Sequence, residues 1–221
     1  MNMKKIIIFS FLAFAFLISC NKEELVDNSE QLGISKITYY PIMTVKGDLF
    51  MSIAKGSAFT DPGATAMAGT AAATVTVAGS VNTNTIGTYS LVYTAINKDG
   101  FKVSSSRVVG VYDPSVVAND FSGNYARSTN GSIAVWKKIA PGLYTVFNPG
   151  GAPGTNLTIH AFNTTGNTII VPSQVSSDGS TTSCTNAAGG SNIVINTATN
   201  TYAWHVVNPG YGTSLRTFTK K

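Results

Sequence analysis

The sequence predicts an all-β chain: a β-sandwich followed by a small antiparallel β-barrel or second sandwich. Three observations carry this expectation. Only 11% of the residues are charged, and Gly, Thr, Ser, Asn, Val and Ala dominate. The Leu, Glu, Lys and Arg of amphipathic helices are scarce, whereas Thr, Val, Ile, Tyr and Phe fit pleated, half-buried surfaces. Second, Gly87 to Ala95 alternates with a period of two, which places Tyr89, Leu91, Tyr93 and Ala95 on one face. Asn97-Lys98-Asp99-Gly100 is a turn, and Phe101 to Val111 returns as its hairpin partner. Third, turn chemistry recurs at short intervals, including two similar turns, Phe147-Asn148-Pro149-Gly150 and Val207-Asn208-Pro209-Gly210.

The chain opens with a basic Lys4-Lys5 pair and an apolar run from Ile6 to Ile18, broken only by Ser10. That run is too short for a membrane span, which needs about 20 residues, and suits a secretion signal. It ends in Leu17-Ile18-Ser19-Cys20, which resembles the bacterial lipobox. The resemblance implies cleavage after residue 19 and a diacylglycerol on the Cys20 thiol. The next residues, Asn21-Lys22-Glu23-Glu24, are similar to the export signal of Bacteroidetes-type surface lipoproteins. That likeness implies transfer to the outer face of the outer membrane, with Lys22, Glu23 and Glu24 as the signal. Residues 20–33 lack periodicity and read as a lipidated cysteine with a flexible tether.

Residues 34–113 hold candidate strands at Lys36 to Tyr40, Asp48 to Ile53, Thr74 to Ala78 and the hairpin. About seven strands over this length suggest an immunoglobulin-like sandwich. The Lys55-Gly56-Ser57-Ala58-Phe59-Thr60-Asp61-Pro62-Gly63-Ala64 segment, with Gly87-Thr88-Tyr89, Tyr93-Thr94-Ala95, Asp99-Gly100 and Arg107-Val108-Val109, resembles a bacterial Ig-like family of unknown function. Asp61-Pro62-Gly63 is a turn that Pro pre-sets and Gly completes, and the tyrosines fill the sandwich. These are scaffold features.

Pro114 to Asn119 reads as a linker. Residues 119–221 then supply about eight strands: the opening Phe121 to Tyr125, then 132–139, 143–147, 156–162, 168–171, 191–195, 201–207 and 215–220. Residues 173–192 read as one long Ser/Thr/Gly/Asn-rich connection. Asp120-Phe121-Ser122-Gly123-Asn124-Tyr125, Gly142-Leu143-Tyr144 and Arg216-Thr217-Phe218 are similar to the C-terminal domain that accompanies such Ig-like modules. Those proteins are lipoproteins of starch-utilisation-type uptake loci, so the resemblance implies a role near glycan capture and a transporter complex.

Catalytic chemistry is not expected. Glycoside hydrolysis needs two flanking carboxylates, and the second domain offers only Asp120 and Asp178. His160 and His205 are the only histidines, and zinc needs three or four ligands. No metal, no cofactor and no nucleic-acid partner is expected. Cys184 has no partner if Cys20 is acylated, so the fold does not depend on a disulfide. From Gly33 onward there are 12 Lys/Arg against six Asp, an excess too dispersed to define a surface.

Aromatic rings remain as candidate ligand contacts, because sugars present flat C–H faces. Trp136, Tyr144 and Tyr211 are the ligand-binding candidates, Tyr211 foremost because glycines flank it. Tyr202 and Trp204 share a face and are expected in the core. The functional expectation is a non-catalytic outer-membrane surface lipoprotein that binds glycan or assists nutrient uptake. The alternative is a structural spacer or assembly subunit without a ligand of its own.

Overall fold

The computed structural model describes residues 31–32 and 35–221. The predicted signal, Cys20 and the Lys22-Glu23-Glu24 run lie outside the described residues. The chain divides into two compact units, 1–39 and 40–221. In the first, β1 (Gln31–Leu32) and β2 (Ser35–Lys36) pair antiparallel, so the stretch expected as tether ends in a short ladder.

The second unit begins with a seven-stranded sandwich: β3 (Pro41–Val45), β4 (Phe50–Ala54), β5 (Ala64–Ala68), β6 (Ala71–Ala73), β7 (Val75–Ala78), β8 (Gly87–Ile96) and β9 (Lys102–Tyr112). One sheet has the order β3-β5-β6 and the other β4-β9-β8-β7, with β4 parallel to β9. Pro41 does not block β3, because it is the first residue of an edge strand, where no ladder N–H is required. The β8–β9 hairpin forms where the alternation predicts it. Leu91, Tyr93 and Ala95 point into the sandwich at 4%, 0% and 0% exposure.

Arg107 is buried on the inner face of β9. Its Nε donates to Asp48 O at 2.9 Å, and its other nitrogens donate to Asp61 Oδ1, Lys46 O and Tyr93 Oη. Tyr93 Oη donates in turn to Asp61 Oδ1 at 2.7 Å. A buried guanidinium needs this enclosure, since an unpaired charge in the core is costly. Asp61 therefore holds the turn of the sequence motif against the sheet and serves the scaffold.

A single 3-10 turn, Pro114–Ala118, capped by Asp113, leads into the second domain. Its strands are β10 (Gly123–Arg127), β11 (Ile133–Ala140), β12 (Leu143–Phe147), β13 (Thr158–Thr165), β14 (Thr168–Val175), β15 (Thr181–Thr185), β16 (Ile193–Val194), β17 (Thr201–Val207) and β18 (Arg216–Lys220). Eight of them close a barrel in the order β13-β12-β11-β10-β18-β17-β15-β14, with β14 returning to β13. The open choice between barrel and sandwich is thereby decided. β16 pairs only with Thr168 and Ile169, ahead of the part of β14 that β15 covers. The expected long connection 173–192 is shorter than predicted. Val175 still belongs to β14, and Thr181–Thr185 forms β15, because Thr-Thr-Ser-Cys-Thr alternates buried Thr182 and Cys184 with outward residues. Polarity resembled a loop, but the buried positions need only threonine methyls and a thiol.

The barrel interior is filled by Phe121, Tyr125, Trp136, Tyr144, Tyr202, Trp204 and Phe218 with smaller apolar side chains. Trp136 Nε1 donates to Tyr202 Oη at 3.0 Å, and Trp204 Nε1 donates to Pro149 O at 2.8 Å. These bonds satisfy the polar atoms that such rings bring into a core.

The barrel packs on the sandwich through a small apolar cluster of Val108, Leu143 and Phe162 with Phe50 and Ala140. The outer face of β9 shows the effect. Ser104 and Ser106 are exposed, whereas Val108, Gly110 and Tyr112 on that face are buried. A Cβ built on Gly110 would collide with the Phe162 ring, so glycine is what lets the ring lie against the strand. Residues 40–221 thus form one compact body built of two sheet systems.

Candidate functional site

Of the three aromatic candidates, two belong to the core. Trp136 is 2% exposed and Tyr144 is 0% exposed. Trp136 stacks on Trp204 at 5.7 Å between ring centroids, and Tyr144 Oη donates to Asn119 O at 2.8 Å. Neither ring has a face open to a ligand. The reason is strand register: Trp136 alternates with exposed Val135 and Lys137, so its face is the barrel interior. Burial raises the phenols of Tyr125 and Tyr144 to about 12, and pushes the Cys184 thiol up, so neither a phenolate nor a thiolate is available at neutral pH.

Tyr211 is half-buried at the end of the barrel opposite the Pro141-Gly142 turn. Both Asn-Pro-Gly turns meet there. Asn148 adopts a φ of 53° and its side chain accepts from Ala152 N at 2.8 Å. Asn208 Oδ1 accepts from Gly210 N at 2.8 Å. The Tyr211 ring lies over Gly150, where any Cβ would overlap it, and its hydroxyl is 3.2 Å from Thr155 Oγ1. The ring is less open than its flanking glycines suggest, because a glycine of the other turn sits beneath it. The Arg216 guanidinium stands 5.1 Å from the ring centroid, and Arg127 reaches the same turn. The two turns are similar in sequence, but no local pattern makes them converge; only barrel closure brings 148–151 against 208–216.

A concavity lies elsewhere, between the sandwich and the barrel. It encloses about 600 Å³ and is lined by Asp48, Leu49, Phe50, Met51, Ser52, Ile139, Ala140, Leu143 and His160. A second groove of about 370 Å³ runs along the other side of Phe50, past Ser90, Ser104, Ser106, Gln174 and Val175. Alternation along β13 turns Ile159 and Ala161 into the barrel and His160 outward. There the imidazole stacks on Phe50 at 3.8 Å between centroids and 10° between planes. Pro172 leaves β14 without an N–H beside this point. The Gln174 side chain replaces the ladder, accepting from His160 N and donating to His160 O, both at 2.7 Å. Burial lowers the His160 pKa, with a hydrogen bond donated to Gln174 opposing, which favours the neutral ring at neutral pH. No sequence signal marked this cleft, because Phe50, Ile139 and His160 come from three separate strands.

His205 lies in β17 with Nδ1 2.8 Å from Thr213 O. Among the described residues, no three His, Cys, Asp or Glu side chains gather to hold a metal ion. Asp113, Asp120 and Asp178 each accept from the hydroxyl and the backbone N–H of the serine two residues on, which holds their carboxyls below the usual range.

The sandwich has a recognisable relative. Residues 43–111 match the family described as bacterial surface protein, Ig-like domain. The match spans β3 to β9, less than half of the chain. A lipoprotein from Bacteroides thetaiotaomicron is 25% identical over 82% of this chain and 100% of its own, with a TM-score of 0.36. A Clostridium perfringens structure, an M60 catalytic domain with CBM51-1 and CBM51-2 domains, is 12% identical over 84% of this chain and 21% of its own, with a TM-score of 0.29. At these TM-scores neither likeness bears on function. No curated protein matches the chain. The chain therefore carries an Ig-like domain of the bacterial-surface type joined to a closed eight-stranded barrel.

Proposed function

We propose that the protein is a non-catalytic, lipid-anchored protein of the bacterial outer-membrane surface that binds a glycan in the cleft between its sandwich and its barrel. The cleft carries this reading. The barrel interior is filled, whereas the junction is concave and open to a ligand, and its lining is amphipathic. Leu49, Phe50, Met51 and Ile139 offer an apolar floor for the C–H faces of a sugar. Asp48, Ser52 and the neutral His160 offer partners to its hydroxyls. The anchor rests on Leu17-Ile18-Ser19-Cys20, display on Lys22-Glu23-Glu24, and the surface setting is supported by the family match of the sandwich. Binding is favoured over catalysis because the aspartates of the barrel cap their own turns, and the sandwich Asp61 neutralises Arg107.

The test is a glycan array probed with soluble 21–221, followed by calorimetry on any sugar captured. Leu49 and Ile139 are 44% and 46% exposed, so Leu49→Arg and Ile139→Arg should abolish binding with the melting temperature unchanged. Retained affinity in both variants places the ligand elsewhere, and an array without a hit removes the glycan assignment. A second reading, a rigid spacer, is favoured by the Gly110–Phe162 contact that fixes barrel to sandwich, and an empty array would leave that reading standing.

A further inference from the structure

Two arginines meet at the distal end of the barrel without an acid between them. Arg216, 7% exposed, donates from Nε to Gly150 O at 3.1 Å. Arg127 Nη1 reaches the same oxygen only at 3.4 Å, and Gly151 O at 3.4 Å. Both acceptors are already taken: Gly150 O by Arg216, and Gly151 O by Asn130 Nδ2 at 3.0 Å. Arg127 Nε is buried with no hydrogen-bond partner among the described residues. Arg127 comes from the end of β10 and Arg216 from the start of β18, which are neighbours in the barrel.

Two guanidinium groups sharing one neutral carbonyl repel each other, and an unpaired buried donor has a desolvation cost. The other buried arginine of the chain, Arg107, shows the ordinary solution, a carboxylate on Asp61. At Arg216, burial first and then the charge of Arg127 depress the guanidinium pKa. An oxyanion supplied from outside relieves the repulsion, since a carboxylate accepts from two guanidinium groups at once with charge-assisted bonds. Beside the pair stands the half-buried Tyr211 ring, with the hydroxyl of Thr155 at its tip. Apolar surface next to paired cations suits a ligand in which a carboxylate is attached to a ring with C–H faces.

We propose that Arg127 and Arg216, flanked by Tyr211, form a binding site for a carboxylate-bearing saccharide, of the uronic acid class. The site is separate from the cleft at the junction and does not depend on it.

The test uses soluble 21–221 and three probes: a galacturonic acid trimer, a neutral galactose trimer and inorganic sulfate. Calorimetry should show binding of the acidic trimer that weakens as salt is raised, and affinity for the neutral trimer about tenfold or more lower. Arg127→Gln removes a charge-assisted contact and should weaken the acidic trimer about ten- to a hundredfold. Arg127→Lys should recover part of the loss, because charge is kept while the planar fork is not. Ile42→Arg, on the exposed edge strand β3 of the sandwich, should have no effect. Should Arg127→Gln fold poorly, Tyr211→Ala gives the second reading: reduced affinity for the acidic trimer, measured below a melting temperature that the lost packing lowers. Equal binding of acidic and neutral trimers overturns the proposal. So does binding of sulfate alone, the mark of an adventitious ion only, and so does acidic-trimer affinity unaltered in both Arg127→Gln and Tyr211→Ala.

Discussion

Removing the carboxylate of Asp61 is the sharpest test of how the sandwich is held. Arg107 has a side chain with 0% exposure, and its ion-pair partner Asp61 has 24%. Breaking a buried pair by deleting one member typically costs about 3–5 kcal/mol, because a charge is stranded. Two features reduce that figure. Asp61 is still partly hydrated, and after Asp61→Ala the guanidinium keeps Asp48 O and Tyr93 Oη, both at 2.9 Å, and Lys46 O. The expected loss is therefore about 2–4 kcal/mol. Tyr93→Phe removes the hydroxyl that donates to Asp61 and accepts from Arg107, and should cost about 1–2 kcal/mol. The decisive comparison is the double variant Asp61→Ala/Arg107→Met, in which no charge is left behind. It should be more stable than Asp61→Ala alone, by about 1 kcal/mol or more. Urea unfolding followed by circular dichroism measures all three. A loss under about 1 kcal/mol in Asp61→Ala, or a double variant no better than the single, would refute the stranded-charge reasoning.

Three further outcomes are expected. Metabolic labelling with an alkyne fatty acid should mark the wild type and leave Cys20→Ala unmarked; equal labelling of both would remove the anchor. Trp204→Ala should cost about 3–5 kcal/mol in a thermal or urea melt, because it empties a filled barrel and strands the Pro149 carbonyl; a loss below about 1 kcal/mol would mean the ring is not core. The phenols of Tyr93, Tyr125 and Tyr144 titrate near 12 in the fold against 10.0 for the ordinary group. Their folded pKa is raised, so this contribution to stability is complete below pH 10 and is lost as pH rises towards 12. Phenolate absorbance and ellipticity followed together should show these groups ionising as the protein unfolds; phenols that titrate near 10 in the folded protein would contradict their burial.

Local pattern determined a good deal of this protein. The β8–β9 hairpin, with Leu91, Tyr93 and Ala95 inward, and the core placement of Tyr202 and Trp204 follow from a period of two, which is a property of the chain itself. So does most of the barrel's strand order, because antiparallel neighbours follow one another in sequence. The same reasoning failed where a residue's face depends on what lies across from it. Trp136 and Tyr144 looked available to a ligand, yet β11 and β12 turn them inward once β10 and β18 close the barrel. Thr181–Thr185 looked like loop, yet a slot between β14 and β17 makes it a strand. Val108, Gly110 and Tyr112 carry no pattern that announces a partner; the barrel covers them, with Phe162 and Leu143 beside Val108, Phe162 against Gly110 and Gly142 beside Tyr112. The candidate sites are tertiary for the same reason. Phe50, Ile139 and His160 line one cleft from three strands, and Arg127 and Arg216 share one carbonyl although 89 positions separate them in the sequence. Hydrophobic periodicity encodes which way a side chain points, but only closure of the barrel and its docking on the sandwich decide which side chains meet.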